Sequence, residues 1–363
     1  MRLYNIKDRK LKPGKKILVA MSGGVDSSVA ALLLKKRNYE VVGATMCLGI
    51  KNNKNKVQCC GTQAIEDARK VCRSLKIPHH VFDFSKILED KVINKFVSEY
   101  SSGRTPNPCV DCNRFLKFDL LLKKALNMGF DYLATGHYAK IVNIFSNYYL
   151  SRPRDRIKDQ TYFLYPIRNE LLKFIKFPLE NYTKEKVREI AKRYKLPVAN
   201  KPQSQDLCFL SRDDFTDFFK NRMEKIEEGP IYSSGGKVLG KHEGICFYTI
   251  GQRRRLNLSS NLPLYVTRIH PAKNRIIVGD KEALKAKRLI AGNLTIHSEK
   301  SSRRMTAKIR YNHTDARCSV IKNNGKIEVI FTEKQEAITP GQSIVLYSGN
   351  RVIAGGEIES VID

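Results

Sequence analysis

Residues 17–28 read Ile-Leu-Val-Ala-Met-Ser-Gly-Gly-Val-Asp-Ser-Ser, and an Ala- and Leu-rich stretch follows at once. A short apolar run that stops on paired glycines and passes directly into a helical pattern is a strand–turn–helix joint. Two adjacent glycines let the backbone turn tightly, so its N–H groups and the new helix N-terminus point at one spot. Such a spot holds anions, phosphate above all. The Walker arrangement is excluded, because no lysine follows these glycines in the GxxxxGK[ST] pattern. Asp26, beside a phosphate site, would repel the anion unless Mg2+ stood between them. Ser27 and Ser28 can add hydroxyl donors.

Around this joint the chain alternates. Strand-like runs recur at 16–21, 41–46, 79–84 and 131–135, and helical patterns at 29–34, 62–75 and 86–100 separate them. Ile87, Ile93, Phe96, Val97 and Tyr100 share one helical face. Alternating strand and helix implies an α/β fold, a doubly wound parallel sheet with helices on both faces. Ligands in such sheets bind beyond the strand C-termini, where the Ser-Gly-Gly turn falls. Between the second strand and the next helix, the Lys- and Asn-rich segment 47–62 with adjacent Cys59 and Cys60 reads as a surface loop or lid.

A chain of 363 residues has room for two or three domains. Its 66 Lys and Arg against 36 Asp and Glu leave a formal charge of +30, which implies a polyanionic partner. The first ten residues contain no apolar core of the signal-peptide kind, and no run is long enough to span a bilayer. Nine cysteines, an odd number spread along a long chain, imply reduced thiols in the cytosol.

The second informative stretch is Arg104-Thr-Pro-Asn-Pro-Cys109-Val-Asp-Cys112-Asn-Arg114. Its prolines break the preceding helix and stiffen the loop. A helical pattern over 113–128 puts Cys112 near a helix N-terminus, where the macrodipole and Arg114 would lower a thiol pKa. Three readings of this CxxC stay open: half a zinc site, a redox pair, or part of an iron–sulfur site.

Further along come Thr135-Gly-His-Tyr138, a hairpin with Tyr148 to Leu150, a basic run 152–158, Lys158-Asp-Gln160, and a helix near 183–194 with a basic polar face. A third cysteine stands in the polar loop Gln203-Ser-Gln-Asp-Leu-Cys208. From about residue 212 the texture changes to a small module carrying the cluster Gln252-Arg-Arg-Arg255. Past Pro271, short strands with turn signals at 323–325, 340–341 and 348–350 fit a small all-β barrel, with Arg303, Arg304, Lys308 and Arg310 concentrating charge on it. Expected boundaries are 1–211 for the domain carrying the anion loop, 212–280 for the central module and 281–363 for the barrel.

The loop SGGVDSS looks like the pyrophosphatase loop, or PP-loop, of enzymes that split ATP into AMP and pyrophosphate. With RTPNP and Cys112, ATGHY, KDQTYFLY, Cys208, HEGICFYTIGQRRRL, KIRYNHTDARC and PGQSIVLY, in that order over nearly the whole chain, the sequence resembles the tRNA-specific 2-thiouridylases.

That resemblance implies a tRNA-uridine 2-sulfurtransferase of the cytoplasm, acting at C2 of the wobble uridine in tRNAs of the glutamate, lysine and glutamine type. ATP and Mg2+ would adenylate the C2 oxygen. A persulfide on Cys208, charged by a cysteine desulfurase or a relay protein, would supply sulfur, and Cys112 would act as nucleophile. ATP would lie against Ala20, Met21, Ser22, Gly23, Gly24, Val25, Asp26, Ser27, Met46 and Gly136. Asn107, Pro108 and Cys109 would meet the target base, and His137, Lys158, Asp159, Gln160, Arg310, Tyr311 and Gln342 the tRNA.

One departure stands out. Many members carry Asp in the slot of Cys109, as a proposed acid–base group, and Asp111 is displaced by two residues. The alternative is that Cys109, Cys112 and Cys208 ligate three irons of a [4Fe–4S] cluster, leaving the fourth open for sulfur. Two other functions compete: another PP-loop enzyme, amidating or lysidine-forming, and a non-catalytic RNA-binding sulfur carrier.

Overall fold

A computed structural model describes residues 14–49, 62–202, 207–210, 214–298 and 305–362. Strand β1 (Lys16–Ala20) buries Ile17, Leu18 and Val19 completely, as a strand covered on both faces must. It passes through the Ser-Gly-Gly turn into helix Val25–Lys36, whose apolar residues pack on the sheet. There follow β2 (Glu40–Cys47), helix Thr62–Ser74, β3 (His79–Asp83), a helix over 85–101 with a π-helical turn at 89–93, a second long helix over 108–127, and β4 (Tyr132–Ala134).

The expected hairpin forms as β5 (Lys140–Ile144) and β6 (Asn147–Ser151). The two-residue β7 (Ile175–Lys176), absent from the sequence reading, closes the first sheet in the order β3-β2-β1-β4-β7. Its pairings are parallel. Strand order reverses between β1 and β4, so the crevice where such sheets bind ligands opens beyond Ala20 and Ala134.

The central module contains β8 (Gly229–Ser233), β9 (Val238–His242), β10 (Tyr265–His270) and β11 (Arg275–Gly279), ordered β10-β11-β8-β9. The C-terminal part comprises β12 (Lys285–Ile296), β13 (Met305–Lys308), β14 (Ala316–Asn323), β15 (Lys326–Glu336), β16 (Ser343–Ser348) and β17 (Arg351–Ile362). These run antiparallel in the order β12-β15-β14-β13-β16-β17, and β12 pairs again with β17, which closes the barrel and removes its edges. The hairpin β5–β6, which the sequence groups with the first domain, attaches to β17 through Ser151 and Arg351.

Among the described residues no helix is long and apolar enough to cross a membrane. Cys47, at the end of β2, is disulfide-bonded, which departs from the expectation of reduced thiols. The 50–61 part of the suggested lid, with Cys59 and Cys60, and the cluster Arg303–Arg304 also lie outside them.

Candidate functional site

The anion loop has the expected geometry. Gly23 sits at φ +67°, and a Cβ there would come within 2.4 Å of the Ala64 carbonyl oxygen. Gly136, just past β4, approaches from the other side, where a Cβ would lie 2.6 Å from the Ser27 amide nitrogen. Only glycine at both positions leaves the loop backbone uncovered. The Ser27 hydroxyl meets the Ser22 amide and hydroxyl and the Gly24 carbonyl, each at 3.2 Å, and is itself buried. Ser28 does not serve as expected: its hydroxyl is fully buried and donates to the Gly24 carbonyl at 2.7 Å within the first helical turn. Ala20 and Met46, both half-buried, close the ends of β1 and β2, while Met21 is buried and tied to β2 through its amide and the Ala44 carbonyl.

Asp26 has a counter-charge that the sequence reading missed. The Lys184 ammonium lies 2.6 Å from both of its carboxylate oxygens, and the Tyr138 hydroxyl donates to Oδ1 at 2.9 Å. Burial first, and the Asp26 charge after it, hold the Tyr138 phenol protonated far above its ordinary range. A second lysine, Lys201, donates to the Gly23 carbonyl at 3.1 Å and pairs with Asp67 at 2.7 Å. Lys184 is the first residue of helix Lys184–Arg193, behind the N-cap Thr183. A cation there opposes the helix dipole, and that local violation was the available signal.

The cysteine helix begins earlier than the sequence pattern suggests, at Pro108 in the N1 position, and runs π-helical from Cys112 to Leu121. Cys112 is therefore a full turn inside, only 8% exposed. The expectation of a lowered thiol pKa is reversed: burial pushes the Cys112 thiol up, Lys117 opposes this, and Asp111 adds to it. Arg114 supplies no relief to the thiol and instead lies toward the Phe115 ring. Cys109 is exposed at its outer surface, yet enough protein surrounds its sulfur that desolvation raises its pKa too.

Asp111, 3% exposed, is held in an ion pair with Lys95 at 3.1 Å, and Lys95 also reaches Glu357 of β17 at 2.6 Å. Burial lowers the Lys95 pKa, but the two carboxylates together outweigh it and hold the ammonium charged.

The loop before Cys109 is gripped from two sides. The Thr105 amide donates to the Pro340 carbonyl at 2.9 Å, and its hydroxyl meets that of Thr249 in the central module at 3.1 Å. Gln342 donates to the carbonyls of Thr105 at 2.9 Å and Pro106 at 3.4 Å. Its amide thus holds the loop that presents Asn107, Pro108 and Cys109.

The other RNA candidates have local partners. Asp159 is buried and accepts from the Thr161 amide and hydroxyl, and Gln160 accepts from the Tyr138 amide, so both order the segment that carries Lys158. His137, half-buried, bonds Thr135 at 2.6 Å, and desolvation holds it neutral well below its ordinary pKa. Tyr311 packs at a tilt against Phe163 with ring centroids 4.6 Å apart, and Arg310 donates to the Glu336 carbonyl at 2.5 Å.

Cys208 is exposed on a short turn bridged between Leu207 and Leu210. Phe209, next to it, is buried edge-on against Phe96 at 5.4 Å and at a tilt against Phe218 at 5.9 Å, so one apolar anchor sets where the thiol stands. Residues 203–206 of that loop lie outside the described set. Among the described residues no three His, Cys, Asp or Glu side chains converge as a metal ion requires. Among the described residues, Cys109, Cys112 and Cys208 are thus not gathered as a set of three ligands. Cys112 packs into the core while Cys208 faces outward on a separate anchor.

Three family models match in series: the tRNA methyl transferase HUP domain over residues 15–212, the tRNA methyl transferase PRC-barrel domain over 216–280, and the aminomethyltransferase beta-barrel domain over 286–358. Among curated relatives, the tRNA-specific 2-thiouridylase MnmA 1 of Syntrophus aciditrophicus is 52% identical over 96% of this chain and 94% of its own. The MnmA proteins of Clostridium botulinum strain Alaska E43 and of Carboxydothermus hydrogenoformans are each 46% identical, over 96% and 95% of this chain and 99% and 98% of theirs. The domain titles speak of methyl transfer. The thiouridylase name attaches to relatives matched end to end, through the PP-loop and both cysteine segments. With the loop, the cysteine helix and the barrel joined as found here, the chain belongs to the tRNA-specific 2-thiouridylase family.

Proposed function

We propose that this protein is the ATP-dependent tRNA 2-sulfurtransferase its family membership indicates, converting the wobble uridine at position 34 to 2-thiouridine. The observation that carries the reading is full-length identity to named 2-thiouridylases, joined to a glycine-lined anion loop at the switch point of a parallel sheet. ATP lies along 20–27, Met46 and Gly136, its polyphosphate toward the loop amides and Lys184. Mg2+, which takes one or two carboxylates plus phosphate oxygens, suits Asp26 once Lys184 yields it.

In this reading the uridine C2 oxygen attacks the α-phosphate, pyrophosphate leaves, and C2 becomes electrophilic. The terminal sulfur of a Cys208 persulfide adds to C2. The Cys112 thiolate then attacks the inner sulfur and the S–S bond breaks. Its electron pair passes to the sulfur left on C2, and AMP departs as the thiocarbonyl forms. The Cys112–Cys208 disulfide so produced is returned to thiols by an external thiol reductant. Because Cys112 is buried with a raised pKa, its attack requires the site to open or a proton to be taken. Asn107 to Cys109 hold the base. Lys158, Tyr311 and Arg310 contact the RNA beside the ordering residues His137, Asp159, Gln160 and Gln342. A persulfide-bearing desulfurase or relay, substrates of the glutamate, lysine and glutamine tRNA type, a cytoplasmic setting and a three-part division at 211/212 and 280/281 belong to the same reading.

The test is nucleoside mass spectrometry on unmodified tRNA incubated anaerobically with protein, Mg-ATP and a persulfide donor. An ATP-dependent 2-thiouridine peak, lost in Cys112→Ser and in Cys208→Ser, is expected. AMP formation with no thiolated nucleoside would overturn the reading in favour of another PP-loop reaction.

A further inference from the structure

A cavity of about 340 Å³ opens where the β5–β6 hairpin meets the C-terminal barrel, outside the ATP and cysteine sites. Lys140, Arg152, Arg154, Arg156, Asn181 and Asn350 line it, and no carboxylate does. Its floor is fixed across the two domains. Arg152 donates through its amide to the Asn350 carbonyl at 2.9 Å, and the Ser151 hydroxyl reaches the same oxygen at 3.1 Å.

The cations in it divide into two kinds. Arg152 is neutralised: it pairs with Asp315 at 2.6 Å, lies near Asp159 at 3.6 Å, and its guanidinium sits 3.8 Å from the Tyr347 ring centre. Lys140, Arg154 and Arg156 form no ion pair with any described residue, and both arginines are exposed. The one acid among them in sequence, Asp155, is turned inward. Its Oδ1 accepts from the Ile157 and Lys158 amides at 3.1 Å, and its Oδ2 accepts from the Lys184 amide at 2.8 Å. The segment thus presents cations outward while its own negative charge is spent on backbone. Arg156 is further held by Asn350 Oδ1 at 2.7 Å.

We infer that this groove is a docking track for the phosphate backbone of the tRNA, reaching nucleotides away from the one that reacts. A single inorganic phosphate would engage one cation pair. Three unpaired cations with two asparagine amides suit successive phosphates along a strand, where released counterions favour binding. Lys158, half-buried, stands two residues beyond Arg156 in the same segment and extends its run of cations. The inference rests on the tRNA reading given above.

The test measures equilibrium binding of unmodified tRNA over a salt series, without ATP or sulfur donor, so that a failure of thiolation and a failure of docking are separate results. Lys140→Ala/Arg154→Ala/Arg156→Ala is compared with a charge-matched control at the far ends of two helices, Lys36→Ala/Arg73→Ala/Lys76→Ala. The expected result is about 10- to 100-fold weaker binding near physiological salt and a salt slope shallower by about two for the groove variant, with the control near wild type. In the unaltered protein, Lys140 should be protected from acetylation by tRNA but not by inorganic phosphate. Wild-type affinity and slope in the groove variant, an equal loss in the control, or an unprotected Lys140 would each overturn the inference.

Discussion

Lys184 Nζ stands 2.6 Å from both carboxylate oxygens of Asp26, so the acid of the anion loop is already neutralised by a lysine delivered from a helix 158 residues further on. Lys184 is 13% exposed at its side chain and Asp26 30%, which puts the pair at the mouth of the crevice rather than in bulk water. In the function proposed above, the ammonium exchanges the carboxylate for an incoming polyphosphate.

Replacing it therefore removes a phosphate partner and uncovers a repelling charge. Lys184→Met should weaken ATP binding by about 10- to 100-fold, the worth of a charge-assisted hydrogen bond. Lys184→Arg should recover part of it. Calorimetric titration with Mg-ATP checks this, and a Lys184→Met protein that binds ATP like wild type would refute the role.

Gly136 offers a sharper steric test. A Cβ placed 2.6 Å from the Ser27 nitrogen must push the loop or β4 aside, and both are backbone. Gly136→Ala should lose at least about tenfold in ATP turnover by displacing groups that must be held within a fraction of an ångström. Circular dichroism should show the fold retained.

The cysteines should separate in reactivity. Burial keeps the Cys112 thiol protonated at neutral pH, whereas Cys208 stands exposed. Since the raised pKa belongs to an acid whose neutral form the fold favours, the Cys112 thiolate fraction grows as pH rises. Its alkylation rate should climb about tenfold per pH unit from neutrality until that raised pKa is passed. Iodoacetamide labelling read by peptide mass spectrometry should therefore find Cys208 modified first at neutral pH.

The Asp111–Lys95–Glu357 bridge ties the cysteine helix to the last barrel strand. Lys95→Met would strand two largely buried carboxylates and should cost about 3–5 kcal/mol, read as a lowered thermal midpoint. Lys95→Met combined with Asp111→Asn and Glu357→Gln should regain much of the loss.

Phe209 is expected to matter only through its neighbour. Phe209→Ala removes the edge-on contact with Phe96 that pins the Cys208 turn. ATP binding should be unchanged while sulfur transfer falls by about tenfold or more, as misplacement of a reacting group predicts.

Much of the site was legible in the chain because it is local. The paired glycines, the strand before them and the helix after them lie within twenty residues, so hydrophobic pattern and backbone sterics suffice to predict an anion loop at a strand C-terminus. The prolines before Cys109 likewise predict a stiff loop leading into a helix. The barrel announced itself through turns, and the order of the motifs indicated the family. Where local rules decide the outcome, the reading matched the fold.

The remaining features depend on contacts between distant segments. Lys184 meets Asp26, Gln342 grips Thr105 and Glu357 shares Lys95 with Asp111, across separations that no periodicity encodes. The same holds for Cys112: a helix N-terminus and a nearby arginine argue for a lowered pKa, and burial in a core assembled from other segments reverses it. Which elements form and where an anion loop falls follow from short-range sterics and patterning within the chain. The charge partners, the burial of Cys112 and the joining of hairpin to barrel come from the assembled fold, because desolvation and ion pairing depend on which distant groups it brings together.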